Sequence, residues 1–348
     1  MPDFISLYRK YRPQTFTEVR GQDHVVSVLR GAISKGAIGH AYLFHGSRGI
    51  GKTTIARIFA REIGCAPEDI YEIDGASNRK IEDARALRET VQTLPFNSPY
   101  KVYIIDEVHM LTKEAFNVLL KTLEEPPPYV IFMLATTEYE KLPETIISRC
   151  QVFTLRKPSL SSLIELVLDA CKKEKVHIEQ ESAELIALLG DGSYRDALGL
   201  VQKVMNVSVD DKISHSEVER VTGAPSFTLV QDFLKSIVNK DIESALRQVN
   251  LCVEHTIDMD IFLRRVIHTV RMILLARFSQ QKKKELEATL PKEQWSFVSG
   301  LIGAEGASLN ANFLVTLLDA SIAVRRATIP ELPVELACIQ ILGQNVGV

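Results

Sequence analysis

A doubly wound α/β domain followed by two all-helical regions is the fold class that this 348-residue sequence predicts, on three observations. Short apolar runs alternate with amphipathic helical stretches over about the first 155 residues. A glycine-rich turn, "GSRGIGKT", separates the first such run from a helical pattern. From about Pro158 the strand-like runs stop and helical patterns continue. Alternation of this kind makes a mostly parallel sheet with helices on both faces.

In chain order, "AYLFHG", "IYEID", "KVYIIDE" and "VIFMLATT" are continuous apolar runs bounded by turn signals, the pattern of strands buried on both faces. Between them "GKTTIARIFAREIG", "NRKIEDARALRETVQTL" and "KEAFNVLLKTLEE" repeat apolar residues at helical spacing, the last stopping before Pro126, Pro127 and Pro128, where a helix cannot continue. "SLSSLIELVLDACKKEKV", "EQESAELIALLG" and "SYRDALGLVQKVMNV" predict a three-helix unit whose third helix begins at Gly192 and Ser193. A linker is expected near 208–226, then further helices. "DMDIFLRRVIHTVRMILLARFSQQKKK" reads as one long amphipathic helix, with "QQKKKELE" as its solvated end, and "PELPVELACIQIL" as the last helix. The expected domains are 1–157, 158–222 and 223–348.

Composition supports a globular chain: 46% of residues are apolar, ample for more than one core. No run approaches the roughly 20 apolar residues of a membrane span, and "MPDFISLYRKYRP" lacks a signal peptide's apolar core, so a cytoplasmic protein is expected. The five cysteines, Cys65, Cys150, Cys171, Cys252 and Cys338, are scattered without a C-x-x-C pair, which argues against a zinc or redox site. Net charge is −3, yet residues 1–61 carry ten Lys/Arg against three Asp/Glu, a local positive field suited to an anionic ligand.

The loop Gly46-Ser47-Arg48-Gly49-Ile50-Gly51-Lys52-Thr53 matches G-x-x-x-x-G-K-[ST] after a strand and before a helix, the context that makes this a phosphate-binding signature. Its backbone N–H groups and the helix N-terminus, with Thr54 beside them, would cradle the phosphates of ATP. Lys52 would reach the β and γ phosphates and the Thr53 hydroxyl would ligate magnesium. Such a loop serves kinases, motors and switches alike, so "KVYIIDEVHML" carries the distinction. Asp106 and Glu107 at the carboxyl end of a strand stand where open α/β sheets bind ligands, Asp106 to hold magnesium and Glu107 to polarise water.

The pairing of "GSRGIGKTT" with "DEVHML", followed by "LLKTLEEPP", "LATT" and "SRC", resembles the clamp-loader ATPases of the AAA+ class. "YRKYRPQTFTEVRGQDHV" and "HAYLFHGSRGIGKTTIAR" are similar to the bacterial DNA polymerase III gamma/tau family, and the likeness runs along essentially the whole chain. That resemblance implies a P-loop AAA+ domain, a three-helix lid and an all-α oligomerisation collar. It gives Thr137 the sensor role beside Asp106, Arg149 the role of an arginine finger acting on a neighbouring subunit's ATP, and Arg195 the second sensor. Arg12, Pro13 and Val19 match the family's N-terminal nucleotide-contacting segment. Arg79, Lys80 and Arg85 fall on the helix that tracks the DNA backbone, although Glu82 and Asp83 beside them also suit a solvated helix face. The implied partners are copies of the chain, other loader subunits, the sliding clamp and primer-template DNA. Members of the family usually carry a four-cysteine zinc module after the P-loop helix. Here "REIGCAPEDIYEID" keeps only Cys65, so no zinc is expected. Ending after the collar, the chain resembles the short gamma form. Competing readings are a P-loop nucleotide kinase, an ATPase of another DNA-remodelling complex, and a stator subunit, which would typically lack Lys52.

Overall fold

Strand β1 (Ala41–His45) pairs in parallel with two neighbours, and the sheet around it has five strands in the order β2-β3-β4-β1-β5. The computed structural model describes residues 5–77, 81–208, 210–290, 292–303 and 309–343. These form two compact units: residues 1–178 with 183–203, and residues 179–182 with 204–348.

In the first unit, α1 (Leu7–Lys10) and α2 (Asp23–Ser34) precede β1, and α3 (Lys52–Glu62) follows it. Then come β2 (Ile70–Asp74), α4 (Ile81–Val91), β3 (Lys101–Asp106), α5 (Lys113–Glu124), β4 (Val130–Thr136), α6 (Glu144–Ile147) and β5 (Gln151–Thr154). All four strand pairings are parallel. Side chains alternate across a strand, and the cores follow that alternation. Tyr42, Phe44, Val102, Ile104 and Met133 pack on one face with Leu29 of α2 and Ile55 and Phe59 of α3. Leu43, Tyr103, Ile105, Phe132 and Leu134 pack on the other with Val91 of α4 and Phe116, Leu119 and Leu123 of α5.

β2 departs from the expected burial on both faces. It is an edge strand, with Tyr71 and Glu72 exposed and its one partner β3, so its apolar residues are half-covered rather than enclosed. A buried carboxylate secures the chain beside it: Asp69 Oδ1 accepts from the Phe96 N–H at 2.6 Å and Oδ2 from the Asn97 N–H at 2.8 Å. After β5, α7 (Leu160–Lys173), α8 (Gln180–Leu189) and α9 (Tyr194–Met205) follow. α9 begins at Tyr194, with Ser193 Oγ accepting from the Asp196 N–H.

The second unit holds α10 (His215–Thr222), α11 (Phe227–Val238), α12 (Ile242–Glu254), α13 (Met259–Phe278), α14 (Gln280–Thr289), α15 (Lys292–Ile302), α16 (Ala311–Val324) and α17 (Leu332–Leu342). Its core joins Phe233, Phe262, Val266, Ile273, Phe313, Leu317 and Cys338. The expected long helix through "SQQKKK" is two helices. Ser279 adopts an extended backbone, φ −135 and ψ 110, and its hydroxyl accepts from the Lys282 N–H, so a side-chain cap competes with helix continuation there. Ser214 and Glu217 form a capping box at the start of α10.

Candidate nucleotide site

The turn from β1 into α3 has the backbone that its glycines allow. Gly49 sits at φ 74, and a Cβ there would lie 1.9 Å from Ser193 Oγ, so only glycine fits against the start of α9. The Gly49 carbonyl accepts from the Tyr194 N–H at 3.1 Å, tying the loop to that helix. Lys52 is 5% exposed and its ammonium donates to the carbonyls of Gly46 and Ser47 at 2.9 Å each. Burial lowers the Lys52 pKa from the ordinary lysine value, while the carboxylates of Glu107 and Asp106 oppose that shift. Besides facing the expected phosphates, the ammonium is buried and braces the loop.

Across the strand ends, Thr53 Oγ1 donates to Asp106 Oδ2 at 2.7 Å, and Asp106 Oδ1 accepts from the Glu107 N–H at 3.0 Å. Glu107 has left-handed backbone, φ 46 and ψ 46, a conformation that costs on the order of 1 kcal/mol for a non-glycine residue. A glycine makes room for it. A Cβ on Gly75 would stand 2.7 Å from the Glu107 carbonyl oxygen and 2.9 Å from that of Asp106, and the Gly75 N–H donates to the Asp106 carbonyl at 2.7 Å. Glu107 Oε2 accepts from the Thr137 hydroxyl at 2.9 Å and from its N–H at 3.3 Å.

A cavity of about 610 Å³ opens onto this edge. Of the expected residues it brings together Arg48, Gly49, Ile50, Gly51, Lys52, Thr53 and Thr54 of the loop, Asp106 and Glu107, Arg195, and the N-terminal Arg12, Pro13 and Val19. Gly46 and Ser47, the first two residues of the loop, do not line the cavity, and Ser47 Oγ is buried without a hydrogen-bond partner. An orphaned hydroxyl beside left-handed glycines and a lysine suits an anionic group, and the Thr53–Asp106 pair of oxygens suits a hard cation, so the residues fit a nucleotide with magnesium.

Thr137, just past β4, reaches the site through Glu107 rather than through the cavity wall. Arg149 is elsewhere: its guanidinium donates to the Thr145 carbonyl at 2.7 Å and pairs with Glu124 at 2.6 Å. Arg85 is exposed on α4, and Arg79 and Lys80 lie outside the described residues. Sequence reasoning missed Tyr8, Tyr11 and Tyr194, which also line the cavity. The Arg195 guanidinium lies 5.9 Å from the Tyr8 ring centroid, within cation–π range. The Tyr11 hydroxyl donates to Glu174, and burial, with Glu174 second, raises its pKa above the usual tyrosine value. For Tyr8 and Tyr11 the stretch "YRKYRP" is the available signal.

Cys65 is buried with its Sγ 3.3 Å from the Tyr100 carbonyl oxygen, and burial pushes its thiol up to about 11. Among the described residues no group of three His, Cys, Asp or Glu side chains is placed to hold a metal ion, and no helix is long and apolar enough to cross a membrane.

Residues 21–79 and 67–159 match the family "DNA polymerase III, delta subunit". The chain is 37% identical over 323 residues to DNA polymerase III subunit tau of Bacillus subtilis, covering 87% of this chain and 57% of that one. It is 35% identical over 289 residues to DNA polymerase III subunit gamma of Buchnera aphidicola subsp. Baizongia pistaciae, covering 77% of each. The chain spans about half the length of the tau and gamma/tau relatives it matches. Among solved structures, the Thermotoga maritima RuvB Holliday junction branch migration motor matches with a TM-score of 0.53 and 25% identity, over 66% of this chain and 79% of that one.

Proposed function

The chain belongs to the gamma/tau family of DNA polymerase III subunits, and from that premise we propose that it is an ATP-hydrolysing motor subunit of a clamp loader, working in the cytoplasm as part of the replicative polymerase assembly. The observation that carries the reading is the convergence of the Lys52 ammonium, the Thr53 hydroxyl and the Asp106 and Glu107 carboxylates on one cavity at a strand edge. An Asp-Glu pair facing a P-loop suits water attack on a γ-phosphate better than transfer to a small acceptor.

In this reading the loop N–H groups and Lys52 bind the phosphates of ATP, while Arg12, Pro13 and Val19 border the nucleoside and Arg195 approaches from α9. Magnesium, held by Thr53 and Asp106, neutralises phosphate charge when bound. Glu107 orients and polarises the attacking water, Thr137 fixes the Glu107 carboxylate, and Arg149 serves the site of a neighbouring subunit. Zinc has no part in it.

The collar supports assembly. Val315, Leu318 and Ile322 of α16 and Leu332, Leu336 and Ile339 of α17 are exposed apolar residues at helical spacing, which suits contact with other loader subunits or copies of this chain. DNA contact rests on Arg85, with Arg79 and Lys80 as further candidates, and would be salt-dependent and sequence-independent. The test measures ATP turnover by the chain with and without partner subunits, the sliding clamp and primed DNA. Stimulation by clamp and DNA together is expected. Stimulation by a nucleoside monophosphate instead would make the chain a kinase.

A further inference from the structure

His109 follows Glu107 by two residues in "DEVHML" and has no part in the reading above. Its side chain is 5% exposed and is wedged between the ends of β3 and β4. Nδ1 lies 2.9 Å from Thr136 Oγ1 and 3.5 Å from Glu107 Oε2. Nε2 lies 3.2 Å from Glu138 Oε1. The Thr136 hydroxyl oxygen also accepts from the Glu138 N–H at 3.0 Å, so the ring has a fixed partner on each edge. The Glu107 oxygen that it approaches is the one held by Thr137.

We propose that His109 is a positioning residue for Glu107, setting through its Nδ1 edge how firmly the water-polarising carboxylate is held against Thr137. The inference rests on the ATPase reading. A neutral imidazole donates from one nitrogen only. With that proton on Nε2 the ring serves Glu138 and Nδ1 accepts from the Thr136 hydroxyl, which fixes the end of β4 immediately before Thr137, the residue that holds the Glu107 carboxylate. The charged groups around the ring are Glu107 at the end of β3, Glu138 after β4, and Lys141, which pairs with Glu138 at 2.6 Å.

The experiment measures kcat and KM for ATP at neutral pH on the full chain in its stimulated assembly. His109→Ala should lower kcat about tenfold with KM unchanged, by loosening the Thr136–Thr137 end of β4 that holds the carboxylate. His109→Asn, whose amide reaches the Nδ1 side, should recover most of that loss. His109→Gln, which reaches toward Glu138 instead, should not recover it. Wild-type kcat in His109→Ala, or no recovery in His109→Asn, overturns the proposal. Loss of ATP binding in both Ala and Asn variants, read by a fluorescent nucleotide, also overturns it, because the role would then be structural. Absence of ATP turnover in the wild type would remove the parent reading and this one with it; turnover in the wild type with unaltered variants removes this one alone.

Discussion

Lys52 has two tasks in this structure, which sharpens what its removal does. Its ammonium braces the Gly46 and Ser47 carbonyls and is the cation nearest the expected phosphates. Lys52→Ala should therefore abolish detectable ATP binding and lower the thermal midpoint by a few degrees, on the order of 1 kcal/mol for lost charge-assisted hydrogen bonds. Nucleotide titration and thermal melting check the two effects separately, and normal ATP affinity would remove the P-loop assignment. Glu107→Gln should bind ATP normally and hydrolyse it at least about 100-fold more slowly, the size expected when a water-orienting base is lost. Single-turnover assays separate the two steps, and wild-type turnover would take Glu107 out of the chemistry. The loop and the Asp-Glu pair were legible in the sequence because contiguous spacing encodes them. The contacts that hold Glu107 were not. Thr137 reaches it only because β3 and β4 are neighbours, a pairing that no local pattern states.

Elements in contact explain the next level. The end of β2 presses on the turn after β3, where Gly75 leaves no room for a side chain beside the Glu107 carbonyl. Gly75→Ala should push the Asp106–Glu107 turn out of place, cutting kcat roughly tenfold or more while ATP affinity changes little. Equal kcat in the variant would mean that the turn relaxes freely. Asp69, on the short segment leading into β2, holds the chain ahead of β3. Burial raises its pKa, but hydrogen bonds from the Phe96 and Asn97 backbone and from Ser98 outweigh it, and the net shift is downward. A depressed folded pKa means stability that is present above the unfolded value and is lost as pH falls through the folded one. Asp69→Asn should therefore be less stable than wild type at pH 7, and the gap should narrow below about pH 4, where unfolded aspartate protonates. Urea midpoints at the two pH values check this, and a pH-independent gap would contradict it. Helices and strands of this unit were legible from period and turn residues. The break at Ser279 was not, because the apolar and polar pattern runs through it and only a side-chain cap divides α13 from α14.

In the proposed reading, assembly decides what the isolated chain can do. Arg149 does not line the cavity formed by its own P-loop. It pairs with Glu124 and the Thr145 carbonyl, with its side chain 33% exposed. A guanidinium so placed can act on a γ-phosphate only across an interface, and it must give up Glu124 to do so. The isolated chain should hydrolyse ATP slowly. Arg149→Ala should bind ATP as well as wild type yet lose the stimulation by clamp and DNA, by up to about 10³-fold if it behaves as arginine fingers do. Glu124→Gln, which frees the guanidinium without removing it, should keep that stimulation, separating the finger from a merely structural ion pair. The decisive measurement mixes Arg149→Ala with Lys52→Ala subunits in verified mixed assemblies. Some interfaces then pair an intact loop with an intact arginine, and part of the turnover should return. No recovery in the mixture, or full stimulated turnover by Arg149→Ala alone, would reject the action in trans and leave Arg149 as the partner of Glu124.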